Sequence, residues 1–374
     1  MDQFKEFELG TICSRLSSGK GISAKNIAEE GLFPVYGGNG LRGYTDTCNF
    51  DGDCAIIGRQ GAFCGNVRYF TGKAYMTEHA VVCCANEYHN TRYLAYLLST
   101  MNLGRLSGQS AQPGLSVKTL SKQIVHMPSL EQQIKVASVL STLDAKIVAN
   151  EKINDNLQQQ AYAYFLRLFV ENEDPSWHVG TIADIGTVVG GGTPSKTKPE
   201  YYTEDGIAWI TPKDLSIDKS KFIAHGENDI SELGYRNSSA TMMPAGTVLF
   251  SSRAPIGYIA IASNEVTTNQ GFKSVVPHPE IGTPFVYYFL IHNLPLIESK
   301  ASGSTFKEVS GSVMKSVEAV IPDGDTLAKF NDFCRPIFAM QEKLEQENRK
   351  LAEMRDSLLP LLMNGEIDVA DIDA

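Results

Sequence analysis

The chain has 374 residues, 43% hydrophobic, 9% aromatic and 20% charged, and its 33 Lys plus Arg stand against 43 Asp plus Glu for a net charge of −10. This is longer than one hydrophobic core usually serves, so two or three domains are expected, and the composition excludes a disordered chain, a collagen and a basic tail protein. No run approaches the ~18 apolar residues of a membrane span, and Met1-Asp2-Gln3-Phe4-Lys5-Glu6 has neither the basic nor the apolar region of a signal peptide, so a cytoplasmic protein is expected.

Residues 1–128 are rich in Gly, Pro, Asn and Ser around short β-branched runs such as Cys54-Ala-Ile-Ile57 and Ala80-Val-Val-Cys83, which predicts short strands in a loop-rich α/β domain, with a helix near Thr91–Met101. From Pro128 the character changes. Glycine vanishes until Gly180, and Leu140, Leu143, Ile147, Leu157, Ala161, Tyr164 and Leu168 fall on three- and four-residue steps with Asn150 and Asn154 between them, so 129–175 reads as one long helix.

Residues 176–322 return to the strand-and-loop pattern, with strands at Thr247-Val-Leu-Phe250 and Ile259-Ala-Ile261 and a helix at Pro284–His292. After Pro322 a second helix is predicted over 323–366, with a seam of Ile337, Met340, Leu344, Leu351, Met354, Leu358 and Leu361 and Glu347 at a polar seam position, followed by an acidic tail, 367–374. Heptad spacing sustained this long is that of a coiled coil, and polar insertions fix its register. The fold class is therefore α/β (α+β), with two globular domains separated by two long helices that pair.

The acid is unevenly spread: 12 basic and 10 acidic side chains in 1–128, 4 and 7 in 129–175, 11 and 14 in 176–322, 6 and 12 in 323–374. The excess sits largely in the helices, which leaves room for local basic surfaces on the globular parts. The seven cysteines show no CxxC pair and an odd count, so reduced thiols and no cofactor are expected; a zinc site from Cys48, Cys54, Cys64 and a histidine lacks metal-ligand spacing.

The two globular parts look like copies. Gly10-Thr11-Ile12 recurs as Gly180-Thr181-Ile182, Arg59 as Arg253, Thr77-Glu78-His79-Ala80 as Thr268-Asn269-Gln270-Gly271, Tyr93–Leu98 as Phe285–Leu290, Ser107-Gly108 as Ser302-Gly303 and Pro128 as Pro322. Their common order and near-constant spacing predict a duplicated unit of half the chain.

A variable domain followed by a long helix, twice over, with Pro128-Ser-Leu-Glu131-Gln132-Gln133-Ile134 opening the first helix, resembles the DNA specificity subunit of type I restriction-modification enzymes. The first domain carries phrases similar to that family's target recognition domains at 33–44, with Asn39 and Arg42, at Ile57-Gly58-Arg59-Gln-Gly61, at Thr77–Ala80 and from Ser107-Gly108 to Ser116. The second does so at Gly191-Gly192-Thr193-Pro194, at Ala208–Leu215 with Lys213, at Ser252-Arg253, at Asn269-Gln270-Gly271 and at Ser302-Gly303-Ser304-Thr305. The Glu-Gln-Gln phrase is missing from the start of the second helix.

The resemblance implies that each domain reads one half of a split sequence in double-stranded DNA. It implies that the helices form an antiparallel pair holding the domains at fixed separation, that two methyltransferase subunits dock on this scaffold, and that motor-nuclease restriction subunits join for cleavage. The residues it points to are Asn39, Arg42, Arg59, Glu78, His79, Thr193, Lys213, Arg253, Asn269 and Gln270 for DNA, and Glu131, Gln132, Gln133, Leu344 and Leu351 for partners.

Chemistry of the chain's own is not expected. There is no Pro-Pro, hence no Asn/Asp-Pro-Pro-aromatic tetrad of an adenine methyltransferase, and no GxxxxGK[ST] loop for ATP. Asp144-Ala-Lys146 has a nuclease-like spacing but lies on the predicted helix. Glu78-His79 would suit proton transfer, yet the second copy offers the amides Asn269-Gln270, so hydrogen bonding to bases or backbone suits both. An arginine kept in both copies within a glycine-flanked loop suits phosphate better than a base edge; the alternative is an arginine pairing an internal carboxylate. Two other readings stay open: a fragment of a fused restriction-methylation enzyme, and a coiled-coil protein-interaction adaptor.

Overall fold

The computed structural model describes residues 4–107, 114–303 and 307–367, so Gly108, Ser304, Thr305 and tail residues 368–374 lie outside the described residues. The chain divides into two compact units, residues 1–147 with 350–374, and residues 148–349.

The first unit contains β1 (Lys5–Glu8), β2 (Cys13–Ser18), β3 (Phe33–Gly37), β4 (Gly40–Thr45), β5 (Phe50–Gly58), β6 (Val67–Met76), β7 (Ala80–Ala85), α1 (Thr91–Thr100), α2 (Val117–Ser121) and β8 (Ile124–Met127). The long helix α3 (Leu130–Leu166) follows and ends in a wider π turn, Arg167–Glu171. The second unit then runs through β9 (His178–Thr181), α4 (Ile182–Ile185), β10 (Gly186–Gly190), β11 (Tyr202–Thr203), β12 (Trp209–Ile210), α5 (Pro212–Ile217), β13 (Phe222–Ile223), β14 (Asp229–Ile230) and α6 (Glu232–Arg236). Its remaining elements are β15 (Val248–Phe250), β16 (Ile259–Ala262), β17 (Thr267–Thr268), β18 (Lys273–Pro277), α7 (Thr283–His292), α8 (Leu294–Ser299), α9 (Gly311–Lys315) and β19 (Glu318–Ile321), and α10 (Gly324–Met363) returns to the first unit.

The two units share a topology. In the first the strand order is β2-β7-β5-β6-β3-β4, in the second β10-β18-β15-β16-β13. The core β2-β7-β5-β6 matches β10-β18-β15-β16 and is antiparallel throughout. The far end of β6 takes β3 alongside in parallel, as β17 takes β12. The pair β1–β8 corresponds to β9–β19, and each pair leads into one long helix. The duplication expected from the sequence is thus a property of the fold.

Hydrogen bonding corrects which residues are equivalent. Leu9 N donates to Gln123 O as Ile182 N does to Val317 O, so Gly10-Thr11-Ile12 lies three residues out of register with Gly180-Thr181-Ile182. Thr77 N donates to Tyr36 O as Asn269 N does to Ile210 O, which sets Thr77 against Asn269, Glu78 against Gln270 and His79 against Gly271. A bulge between Cys13 and Arg15 puts one extra residue into β2. Identity over three or four residues arises easily by chance, whereas the ladder fixes register at every strand.

Alternation builds the cores. On β7, Val81 and Cys83 face a cluster with Leu94, Leu98, Leu120 and Leu140, while Ala80 and Val82 face Phe50, Cys54 and Met76 on the other side of the sheet. In the second unit Val248 and Phe250 face α7 and the aromatic ends of the helices, Phe165, Phe169, Phe330 and Phe338, and Leu249 faces the opposite cluster.

Within each unit the helix segments run antiparallel. In the second unit Asn150 Nδ2 reaches Glu347 Oε2 and Asn348 Oδ1 (both 2.8 Å) and Gln341 Nε2 reaches Asn154 O at 3.2 Å; in the first, Arg355 Nη1 reaches Asp144 Oδ1 at 2.9 Å. The expected seam of α10 needs correction. Ile337 and Leu344 are buried, but Met340 and Met354 are 47% and 51% exposed, and their inward places are taken by Gln341, 3% exposed, and the half-buried Arg355. Asp144 is occupied by Arg355 and the Tyr96 hydroxyl, so its place in a nuclease-like triplet is structural.

Candidate nucleic-acid interface

Three loops and a strand end meet in the first unit: the end of β2 with Gly19 and Lys20, the β3–β4 turn with Asn39, the loop after β5 with Arg59, and the β6–β7 loop with Glu78 and His79. Arg59 N donates to His79 O (3.0 Å), Lys20 N to Met76 O (2.9 Å) and Arg59 Nη1 to Ser18 Oγ (3.4 Å). Glycine is required at Gly19, where a Cβ would lie 2.1 Å from Met76 O, and the approach is tight at Gly38, where one would lie 3.0 Å from His79 O. Around this crossing Asn39 and Arg42 are exposed, and Arg59, Glu78 and His79 are half-exposed. Glu78 Oε1 lies 3.2 Å from His79 Nε2, while Glu78 Oε2 is buried with no hydrogen-bond partner.

Arg59 has no carboxylate within 4.0 Å among the described residues, nor has Arg42 or Arg68. The Arg68 guanidinium stands beside Gly40, 3.3 Å from where its Cβ would be, and it opposes the upward shift that burial and Tyr44 impose on Tyr36. Sequence reasoning missed Arg68, because it lies outside the repeated phrases, at the start of β6. Four cations, Lys20, Arg42, Arg59 and Arg68, therefore belong to this end of the sheet, a local basic surface inside a chain of net negative charge.

The second unit brings the equivalent elements together. Gly192 N donates to Thr268 O (2.8 Å), and a Cβ on Gly191 would lie 1.9 Å from Asn269 O. The result is a cavity of about 560 Å³ whose lining includes Thr193, Lys196, Trp209, Lys213, Asn269 and Gln270. Thr193, Lys213, Asn269 and Gln270, chosen from separate sequence phrases, thus meet in one concavity. Trp209 Nε1 donates to Gly192 O at 3.0 Å, and Asp214 caps the start of α5 in a capping box with Thr211. Asn269 Oδ1 accepts from Gly271 N (2.8 Å), which fixes the side-chain amide at the cavity wall. Lys213 is paired with Glu227, which raises its pKa.

Arg253 is not part of this concavity. Its Nε lies 3.1 Å from Glu308 Oε2, and Lys273 approaches the other oxygen at 3.7 Å. Of the two origins weighed for this arginine, the internal ion pair is the one found.

The residues expected to meet partners divide in the same way. Glu131 is exposed and pairs with Lys135, and Gln132 is half-buried. Gln133 is fully buried: its Nε2 donates to Pro128 O (2.8 Å) and its Oε1 accepts from Asn90 N (2.9 Å), tying α3 to the start of α1. Leu344 is buried and Leu351 half-buried. The exposed apolar side chains are others: Leu130, Ile134 and Met354 in the first unit, and Val148, Ile153, Phe333 and Met340 in the second. Sequence periodicity alone does not separate a seam from a parallel stripe one residue away.

The profile of the family described as type I restriction modification DNA specificity domain matches residues 1–159 and 175–346. The chain is 37% identical over 195 residues to the specificity subunit of the type I restriction enzyme MjaIX of Methanocaldococcus jannaschii, covering 51% of this chain and 44% of that one. It is 42% identical over 144 residues to that of EcoprrI from Escherichia coli (37% and 36%), and 24% identical over 331 residues to that of HindI from Haemophilus influenzae (68% and 71%). The aligned stretches thus span less than half of the first two relatives. A crystal structure of a type I restriction-modification system S subunit from M. genitalium superposes with a TM-score of 0.66 over 96% of both chains at 17% identity, a likeness of fold.

Proposed function

Because this chain belongs to the type I restriction modification DNA specificity family, matched over both of its halves, we propose that it is the DNA-specificity subunit of a restriction-modification complex. It reads a bipartite site in double-stranded DNA, one half with each globular domain, and supplies recognition rather than catalysis. The observation that carries this reading is a shared frame with different readers. The same strand core brings the same loops together in both units, yet Thr77, Glu78 and His79 of one are Asn269, Gln270 and Gly271 of the other. Equal scaffolds with unequal polar side chains suit two unlike half-sites.

The proposed domains are 1–128 and 176–322 for recognition and 129–175 and 323–366 for the spacer helices, with the tail beyond. Asn39, Arg42, Glu78, His79, Thr193, Lys213, Asn269 and Gln270 contact DNA in this scheme, with Arg59 and Arg68 on phosphates; Arg253, held by Glu308, is a strut. Two methyltransferase subunits dock on the helices through exposed apolar side chains such as Ile134, Phe333 and Met340, beside Glu131 and Gln132, and motor-nuclease subunits join them. These partners place its work in the cytoplasm.

Co-expression with its methyltransferase, followed by mapping of modified adenines, tests the proposal. A bipartite motif that disappears when this chain is omitted is expected. Methylation by this chain alone would establish an enzyme instead, and modification indifferent to its presence would leave the adaptor reading.

A further inference from the structure

On the face of the first unit's sheet that packs against α1 and α2, Cys13 and Cys83 bring their sulfurs to 3.4 Å across β2 and β7. Cys13 is half-exposed and Cys83 fully buried. Cys13 is in register with Ala85, two residues along β7 from Cys83 and therefore on the same face of the sheet. The same position in the second unit is equally tight: Gly186 stands where a Cβ would lie 2.6 Å from Cγ1 of Val275, the counterpart of Cys83.

We propose that Cys13 and Cys83 are a modification site, a dithiol that hydrogen peroxide converts to a disulfide joining β2 to β7. The Cys13 thiolate attacks the peroxide oxygen, the O–O bond breaks, and the hydroxide released takes up a proton as water, leaving Cys13 as sulfenic acid. The Cys83 sulfur then gives up its proton and attacks the Cys13 sulfur; the S–O bond breaks and a second water leaves. Two thiols and one peroxide thus give one disulfide and two waters. The sulfurs must close by about 1.4 Å to reach the ~2.05 Å of a disulfide. The order of attack follows from the surroundings: the hydrogen bond from Cys83 lowers the Cys13 pKa, and that bond together with burial raises the Cys83 pKa.

The other thiols are placed differently. Cys54 and Cys84 pack on the opposite face of the sheet, Cys64 donates to Arg59 O, Cys48 is exposed, and Cys334 belongs to the second unit.

The test treats the full chain with hydrogen peroxide, blocks free thiols and maps peptides without reduction. A Cys13–Cys83 linkage is expected, with two of the seven thiols lost under denaturing conditions and regained with dithiothreitol. Cys84→Ser should keep the linkage and Cys13→Ser should abolish it. Oxidation of Cys13 to the sulfinic acid with Cys83 still free, a linkage to Cys54 or Cys84, or reaction confined to Cys48 would overturn the proposal. The wild-type map alone decides this even where a variant folds poorly.

Discussion

Arg59 and Arg253 do not occupy equivalent positions. Arg59 N donates to His79 O at 3.0 Å, and it is Ser252, one residue before Arg253, that makes the corresponding bond to Gly271 O at 2.7 Å. The side chains diverge accordingly: among the described residues Arg59 reaches Ser18, and Arg253 reaches Glu308. Arg59→Ala should therefore reduce the salt slope of DNA binding by about 1 and weaken binding to all sequences alike. Arg253→Ala should leave the slope unchanged. Affinity titrated against salt with the methyltransferase-bound chain measures both, and equal loss of slope in the two variants would show that Arg253 leaves Glu308 for phosphate.

Two glycines carry the loop crossings. Cβ atoms at Gly19 and Gly191 would sit 2.1 Å and 1.9 Å from backbone carbonyls, closer than any relaxation of a flexible side chain could relieve. Gly19→Ala should abolish selection at one half-site and Gly191→Ala at the other, while circular dichroism and assembly with the methyltransferase stay near wild type. Each outcome is read from the motif of modified adenines. Loss of both half-sites from one substitution would argue against independent readers.

The strands at β-branched runs and the switch to helix at Pro128 and Pro322 were legible in the sequence, and four of the five second-unit residues it singled out line one cavity, a proximity that no sequence spacing shows. It misread the face of α10, because hydrophobicity favours Met340 and Met354 over Gln341 and Arg355. Those two are buried or half-buried through partners distant in sequence, Lys221 and the Asn154 carbonyl for one and Asp144 for the other. It also mistook matching arginines for equivalent ones, since ladder register and a bulge leave no mark in a short identity.

Lys221 gives the second unit a pH dependence. Its Nζ donates to Gln341 Oε1 (2.8 Å) and Tyr288 OH (3.2 Å) amid the rings of Phe338, Tyr287 and Tyr288, and burial brings its pKa down to about 7, against the opposing pull of Cys334 and Glu345. Between that value and its unfolded value near 10.5 the unfolded chain binds the extra proton, so stability contributed by this site rises with pH across the window and falls toward pH 7. The melting temperature should rise from pH 7 to pH 9 in the wild type, and this increment should vanish in Lys221→Met. A rise of the same size in the variant would locate the titration elsewhere.

The helices are expected to act as a ruler. Inserting one heptad into each helix beside the facing Asn150 and Glu347 keeps the seam and lengthens each helix by about 10 Å, or roughly three base pairs. The spacer of the modified motif should grow by about that number with both half-sites unchanged. A change in the bases recognised, with the spacer constant, would refute this role.

If each globular part reads its own half-site, exchanging residues 1–128 for the corresponding part of another family member changes that half alone. Adenine mapping of the chimaera with its methyltransferase should give a motif with one new half, one old half and the original spacer. A motif with both halves altered, or an unaltered motif, would contradict the account.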